Sequence, residues 1–151
     1  MNTHQVIQAL ATSFGAPALA LDDNGCASLR VDDTIDLHFE TGATHLLHVH
    51  CSLGKLPSGN RAAIYERLLT ANLFGVETGG ATLAIDREFG EIVLCMDIGN
   101  HGWTTELIQS RMQRFIDAAL AWQERFDELE VVANDASAQA NILQPQMLLR
   151  A

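Results

Sequence analysis

The sequence has 151 residues, a length typical of one domain built around a single hydrophobic core. Hydrophobic residues make up 48% of the chain and charged residues 19%, which argues against global disorder and against a fibrous repeat. Nineteen acidic against nine basic side chains give a formal charge of −10, so a nucleic-acid backbone or an anionic membrane surface would repel the protein.

We expect no targeting segment in this protein. Residues 1–4 lack the basic and apolar regions of an export signal, and no apolar stretch approaches the roughly 18 to 20 residues that span a bilayer. The three cysteines, Cys26, Cys51 and Cys95, show no CxxC spacing, which is typical of reduced, mostly buried thiols. We therefore expect a cytoplasmic protein with no disulfides and no membrane insertion.

The first predicted element is an amphipathic helix over residues 3–14. Its apolar side chains recur every three or four residues, Thr3 is a suitable N-cap, and Gly15 followed by Pro17 ends the helix. Apolar residues 19–21 and 26–31 then flank Asn24-Gly25, a pair typical of hairpin turns. We expect a first β-hairpin there.

A second hairpin is predicted from residues 34–40 and 44–52, because apolar and polar residues alternate along both segments. If a three-residue loop sets the register, the opposed pairs are Leu37 with Leu47, Phe39 with His45, and Asp36 with His48. The polar face of the hairpin would then gather His38, His48 and His50.

A second helix is predicted from a cap at Ser58 to Gly75. Its apolar stripe is broader than one sheet face needs and comprises Ala62, Ile64, Leu68, Leu69 and Leu73. A third hairpin follows, with strands at residues 81–85 and 91–98.

A long helix is the strongest helical prediction in the chain. Apolar residues from Ile108 to Leu129 alternate at spacings of four and three. Periodicity is lost beyond Val132, so we expect a domain at 1–132 and a mobile tail at 133–151, with an apolar segment at 142–149 that folds onto a partner or simply frays.

The order of elements predicts an α+β domain with a mainly antiparallel, twisted sheet of five to six strands. Three helices accompany the sheet in the order α-β-β-β-α-β-β-α, with a possible extra short strand. The apolar surplus on the second helix favours a homodimer.

Catalytic chemistry finds little support. A metal site on the His38, His48 and His50 face, next to Asp36, is the best candidate, but such neighbours occur on any half-exposed antiparallel sheet. Cys95 with His101 is the one cysteine–histidine pair whose geometry could form a nucleophile and base, and a buried structural thiol is the simpler interpretation. Trp122 and Phe126 fit a buried seam better than a ligand-stacking site. We expect no enzyme, cofactor, resident metal or nucleic-acid partner, and a protein-binding module remains.

Several segments resemble the class I type III secretion chaperones of the Tir-chaperone (CesT-like) family. The resemblance rests on residues 19–25 (LALDDNG), 53–57 (LGKLP), 68–74 (LLTANLF), 78–86 (TGGATLAID) and 90–94 (GEIVL), together with the terminal helix around Trp122. The Ala-Asn and Thr-Gly-Gly-Ala elements are the most specific parts. The resemblance spans roughly residues 3 to 130 and leaves the tail outside it.

The resemblance implies an acidic cytoplasmic homodimer, associated with virulence, that holds the N-terminal segment of one or more effectors in extended form without ATP. It also implies possible contact with the secretion ATPase or export apparatus. The dimer interface expected from the family comprises Ile64, Leu68, Phe74, Leu83 and Ile85. The expected client-binding residues are Ile7, Leu10, Leu29, Val31 and Ile35. Alternatives left open are a regulatory chaperone that sequesters an anti-activator, a structural adaptor dimer with folded partners, and a small metal-binding enzyme or sensor using the histidine face.

Overall fold

The computed structural model describes residues 1–43, 46–98 and 102–135. Its elements in chain order are α1 (Thr3–Ser13), β1 (Cys26–Val31), β2 (Ile35–Thr41), β3 (Leu47–Lys55), α2 (Arg61–Ala71), a 3-10 turn (Leu73–Gly75), β4 (Thr82–Asp86), β5 (Glu91–Ile98), α3 (Thr105–Glu124) and α4 (Phe126–Asn134). The five strands form one antiparallel sheet in the order β1-β2-β3-β5-β4, which leaves β1 and β4 at its edges. The predicted α+β class is confirmed.

One face of the sheet carries the core, because apolar residues alternate with polar ones along the strands. On β2, Ile35, Leu37 and Phe39 are fully buried, whereas the residues between them are exposed. The buried seam of α3 runs from Ile108 to Trp122 and covers this face. Helix α1 packs on α3, and α2 packs on α4. The opposite face of the sheet carries the polar side chains.

The first predicted hairpin is wrong. Residues 19–21 form no strand, and β1 pairs instead with β2. The carboxylate of Asp22 accepts the main-chain N–H groups of Asn24 and Cys26, each at 2.9 Å. These bonds fold the Asn-Gly segment back on itself, so it closes a local loop that leads into β1.

The predicted register of the second hairpin is also wrong. His38 opposes His50 and Phe39 opposes Val49, so each residue of β2 meets a residue four positions later than expected. The connection is longer than three residues, because β3 begins only at Leu47. Residues 44 and 45 lie outside the described part of the chain. Because four is an even number, the shift keeps His38, His48 and His50 on one face.

The helices differ from prediction at their ends. Asn2 caps α1 and Asn60 caps α2, in place of Thr3 and Ser58. The long C-terminal helix is interrupted at Arg125, after which α4 turns to pack on α2. The α4 helix is joined to the start of α2 by a hydrogen bond of 2.8 Å from the Asn60 N–H to the Ala133 carbonyl.

The predicted tail begins within α4, and its residues 136–151 lie outside the described part of the chain. Among the described helices, none combines the length and apolar character that crossing a membrane requires.

Candidate functional site

Among the described residues, the largest group of exposed apolar side chains lies on α2 and the turn after it. We call this group the α2 surface; its members are Tyr65, Leu69, Leu73, Phe74 and Val76. Leu69 is 70% exposed, Val76 83% and Phe74 92%, although residues of these types are usually buried. Contiguous apolar patches on a protein surface typically mark interaction sites.

A groove of about 300 Å³ continues the α2 surface onto β4. Its lining is almost entirely apolar and comprises Tyr65, Leu68, Leu69, Asn72, Leu83, Ala84 and Ile85. Helix α2 therefore has two apolar faces, because Ile64, Leu68 and Ala71 pack inward while Leu69 points outward. The broad stripe seen in the sequence is explained by these two faces.

Phe74 is held in an unusual backbone conformation. Its φ angle of +56° lies in the left-handed region, which residues with bulky side chains rarely adopt. Such strain costs on the order of 1–3 kcal/mol and tends to persist at functional sites. In this conformation the aromatic ring of Phe74 faces the outside of the molecule.

A cluster of charged and aromatic groups fixes the segment that carries Phe74 and Val76. The indole Nε1 of Trp122 donates a 2.9 Å hydrogen bond to the Glu77 carbonyl, and the Arg67 and Arg125 guanidinium groups lie 4.9 and 5.1 Å from the Trp122 ring centroid. Arg67 also forms a bidentate ion pair with Glu77, which lowers the pKa of that carboxyl below its usual range. The α2 surface is thus anchored to α3.

The edge strand β1 offers a second surface. The Thr41 N–H donates to the Gly25 carbonyl, so by the alternation of an antiparallel ladder the odd-numbered residues bond β2 and the even-numbered ones point outward. Asp22 bonds both the N–H and the C=O of Cys26. Within the described ranges, by contrast, no main-chain or side-chain group from outside the sheet bonds the main chain of Ser28 or Arg30. Their donors and acceptors face solvent.

The side chains beside this edge are incompletely covered. Leu29 and Val31 lie on the core face of the sheet, opposite Leu37 and Ile35, yet both are only half-buried. The Arg30 side chain lies on the other face and is held by a bidentate ion pair to Asp36 at 2.7 Å. The β1 edge therefore combines free main-chain groups with unfilled apolar contacts.

The predicted binding residues fall into two groups. Ile7, Leu10 and Ile35 are buried in the core, while Leu29 and Val31 lie at the β1 edge. Of the predicted dimer residues, Ile64 is fully buried, Leu68 and Leu83 are buried at the floor of the α2–β4 groove, Ile85 is half-buried and Phe74 is exposed. The assignment of the first set to a client and of the second set to a dimer interface stays a prediction.

The interface residues predicted from the sequence did not include Tyr65, Leu69, Val76 or Asn72. The signal for Leu69 was present, because it follows Leu68 directly on a helix and so must face a different direction. Asn72 was marked only as part of the Ala-Asn element of the family resemblance, and Tyr65 and Val76 gave no comparable signal.

The histidines share the outer face of the sheet, as predicted. The rings of His38 and His50 lie 5.3 Å apart, His50 Nε2 is 3.7 Å from Glu40 Oε1, and His48 contacts Asp97. Even so, no three histidine, cysteine or acidic side chains of the described residues converge as a metal site would require.

The cysteines are poor nucleophiles. Burial raises the pKa of the Cys51 thiol to about 12, and it also raises the pKa of Cys95. His101, the base suggested for Cys95, lies outside the described residues.

A family model, the Tir chaperone protein (CesT) family, matches residues 5–123. A Chlamydia pneumoniae protein designated CPj0713/CpB0740 is 34% identical over 92 residues, which cover 60% of this chain and 70% of that protein.

Two solved structures show the same fold. A chain of the ExsC-ExsE complex superposes with a TM-score of 0.65 at 22% identity, over 80% of this chain and 90% of that one. A chain from the complex of the Yersinia pestis type III secretion chaperone SycH with a stable fragment of YscM2 gives 0.61 at 18% identity, over 79% and 98%. Because the family model covers most of the chain, this protein belongs to the Tir chaperone protein (CesT) family.

Proposed function

We propose that this protein is a type III secretion chaperone of the bacterial cytoplasm. As a homodimer, it holds the N-terminal segment of an effector in extended form and keeps it competent for secretion. The single observation that carries this proposal is the open β1 edge beside half-buried Leu29 and Val31. Membership of the chaperone family and the likeness to SycH, a type III secretion chaperone solved in complex with a fragment of YscM2, support it.

The β1 edge suits an extended client. A strand laid beside β1 would bond the outward N–H and C=O groups of Ser28 and Arg30, as in other cases of strand addition. Every second side chain of that strand would lie over Leu29 and Val31 and complete their burial. Ile35 supports this contact because it lies opposite Val31 in the sheet.

The α2 surface suits a second copy of the chain. It is apolar, continuous with the groove toward β4, and anchored by the Trp122 cluster, so it is preorganised for packing. A symmetric dimer would cover Leu69, Phe74 and Val76 on both protomers with the same contacts. The expected interface residues Leu68, Leu83 and Ile85 line the adjoining groove.

Binding alone would perform this function, so the proposed mechanism uses no ATP and no cofactor. The client's extended state is stabilised by main-chain pairing and apolar burial, and the client is released when the export apparatus or its ATPase competes for it. The charge of −10 keeps a protein with exposed apolar surface soluble.

The test is to purify the tagged protein from its host, treat the complex with protease and identify the protected fragment by mass spectrometry. We expect an N-terminal fragment of about 50 to 100 residues from a larger protein, long enough to wrap a dimer. A compact folded domain protected as a unit, or a monomer with nothing bound, would contradict the proposal.

Two variants then locate the client. Leu29→Asp places a carboxylate on the core side of the β1 edge, and we expect it to abolish capture of the fragment. Ser28→Asp is the matched control, because it adds the same charge to the exposed face of the same strand. Equal loss with both variants would argue against burial at Leu29.

A further inference from the structure

The two edges of the sheet differ in how their main-chain groups are satisfied. On β4, the Leu83 N–H and C=O point away from β5, so by alternation the outward positions are Leu83 and Ile85 of the strand and Ala81 directly before it. These positions are the ones an added strand would need.

Asn72 occupies the outward position at Leu83. Its side-chain Oδ1 accepts the Leu83 N–H at 2.8 Å, and its Nδ2 donates to the Leu83 carbonyl at 3.1 Å. One primary amide therefore reproduces both bonds that a neighbouring strand would make. Asn72 is the residue directly after α2, so the end of this helix lies against the sheet edge.

Thr78 occupies the next outward position. The Ala81 N–H donates to the Thr78 carbonyl at 3.0 Å, and the Thr78 hydroxyl donates to the Ala81 carbonyl at 2.6 Å. Thr78 is fully buried, which excludes water from these bonds and makes them costly to replace. Leu83 within β4 and Ala81 directly before it are thus closed, whereas among the described residues no such partner reaches the outward main-chain groups of Ile85.

The β1 edge shows the opposite pattern. Asp22 closes Cys26 in the same two-bond manner, but Ser28 and Arg30 stay open among the described residues. Two of the three outward positions of β1 are free. The contrast is not a matter of strand length, since β1 has six residues and β4 has five.

We propose that Asn72 and Thr78 close the β4 edge against strand addition, so that a partner strand can join this sheet only at β1. The proposal rests on the proposed function for the client strand, and it adds the residues that decide which edge the strand uses. The closure also prevents two copies from joining their sheets through β4, so that copies meet through the side chains of the α2 surface instead. Asn72 and Thr78 are specificity-determining residues in this sense.

The test opens the edge in the full-length protein without any client. Asn72→Ala frees both groups of Leu83, Asn72→Asp keeps an acceptor for the N–H but repels the carbonyl, and Thr78→Val removes only the hydroxyl at nearly constant volume. Light scattering over a range of protein concentrations measures association, and amide hydrogen exchange measures protection of Leu83. Thermal unfolding shows whether each variant is folded.

At low concentration we expect the Leu83 amide of Asn72→Ala to exchange roughly 2- to 10-fold faster than in the parent protein. This factor corresponds to the net free energy of one lost hydrogen bond. At high concentration we expect Asn72→Ala to form species of twice the parent mass, with the Leu83 amide protected again by a second β4. We expect Thr78→Val, which opens only the Ala81 carbonyl, to associate less, and Asn72→Asp to exchange more slowly than Asn72→Ala.

Three results would overturn the proposal. An unchanged rate of hydrogen exchange at the Leu83 amide would mean that the Asn72 side chain does not protect the edge. Faster exchange with the parent mass at every concentration would mean that an open β4 edge attracts no strand. A doubled mass without renewed Leu83 protection would mean that the copies join elsewhere. If only the proposed chaperone function were wrong, these measurements would still give the expected results, because no client takes part in them.

Discussion

Replacing Ser28 by proline tests whether a client strand pairs with β1. Proline has no N–H and fills the space in front of the nitrogen, so it removes an outward donor from the edge. Because the Ser28 N–H points away from β2, the substitution breaks no bond inside the sheet, and proline is tolerated at edge positions of this kind. We expect the free energy of unfolding to change by less than about 1 kcal/mol.

The effect on binding should be larger. The client carbonyl that would face Ser28 loses its partner and is left buried, at a cost of about 1–3 kcal/mol. This corresponds to roughly 5- to 140-fold weaker binding. Calorimetric titration of the captured effector fragment into parent protein, Ser28→Ala and Ser28→Pro gives the comparison, with Ser28→Ala reporting the loss of the hydroxyl alone.

Leu29→Pro is the matched control for the structure of the strand. The Leu29 N–H faces β2, so proline there removes a ladder bond and should destabilise the fold by about 3 kcal/mol or more. If Ser28→Pro binds the fragment as tightly as Ser28→Ala, strand pairing at β1 is refuted. If Ser28→Pro unfolds like Leu29→Pro, the assignment of outward and inward positions is wrong.

Three further predictions concern the α2 surface and the core. Phe74→Gly should relieve the left-handed strain and leave the monomer at least as stable, while weakening the dimer because the ring is lost. An unchanged dimer affinity in analytical ultracentrifugation would argue against a role of this ring in the interface. Glu77→Gln should lower the free energy of unfolding by up to about 1 kcal/mol at neutral pH, because the ion pair with Arg67 is partly exposed. Since the folded-state pKa of Glu77 is lowered, this contribution is present above the unfolded pKa and disappears as the pH falls through the folded value, so parent and variant should converge in denaturant titrations at acid pH. Cys51 should be alkylated far more slowly than Cys26 in the native protein, because it is buried with a pKa of about 12; equal rates by mass spectrometry would contradict that burial.

The sequence predicts this fold well where side chains alternate with a clear period. Strands β2, β4 and β5 and the seam of α3 were all indicated by local patterns, because each buries one face against the same core. The register between β2 and β3 was not predictable in the same way, since it depends on the length of the connection after Thr41. The even shift explains why the histidine face was nevertheless correct.

The β1 edge and the contacts at β4 were harder to predict from the sequence than the strands and helices. The spacing of Leu29 and Val31 gives their face on the strand, but their partial burial follows from the position of β1 at the edge of the sheet. Asn72 is separated by 11 residues from Leu83, and only the packing of α2 against β4 brings them together. A motif can mark such a residue, but it does not tell which main-chain group the side chain reaches.

The interruption between α3 and α4 at Arg125 affects where a shortened form of this domain can safely end. The family match ends at residue 123, just before α4, yet Leu129 and Ala133 of that helix are buried, and the Ala133 carbonyl accepts the N–H of Asn60, the N-cap of α2. A fragment trimmed to the shared family region would expose the helix that carries the apolar α2 surface. It would therefore be prone to aggregate, and its behaviour could be mistaken for a property of the intact protein.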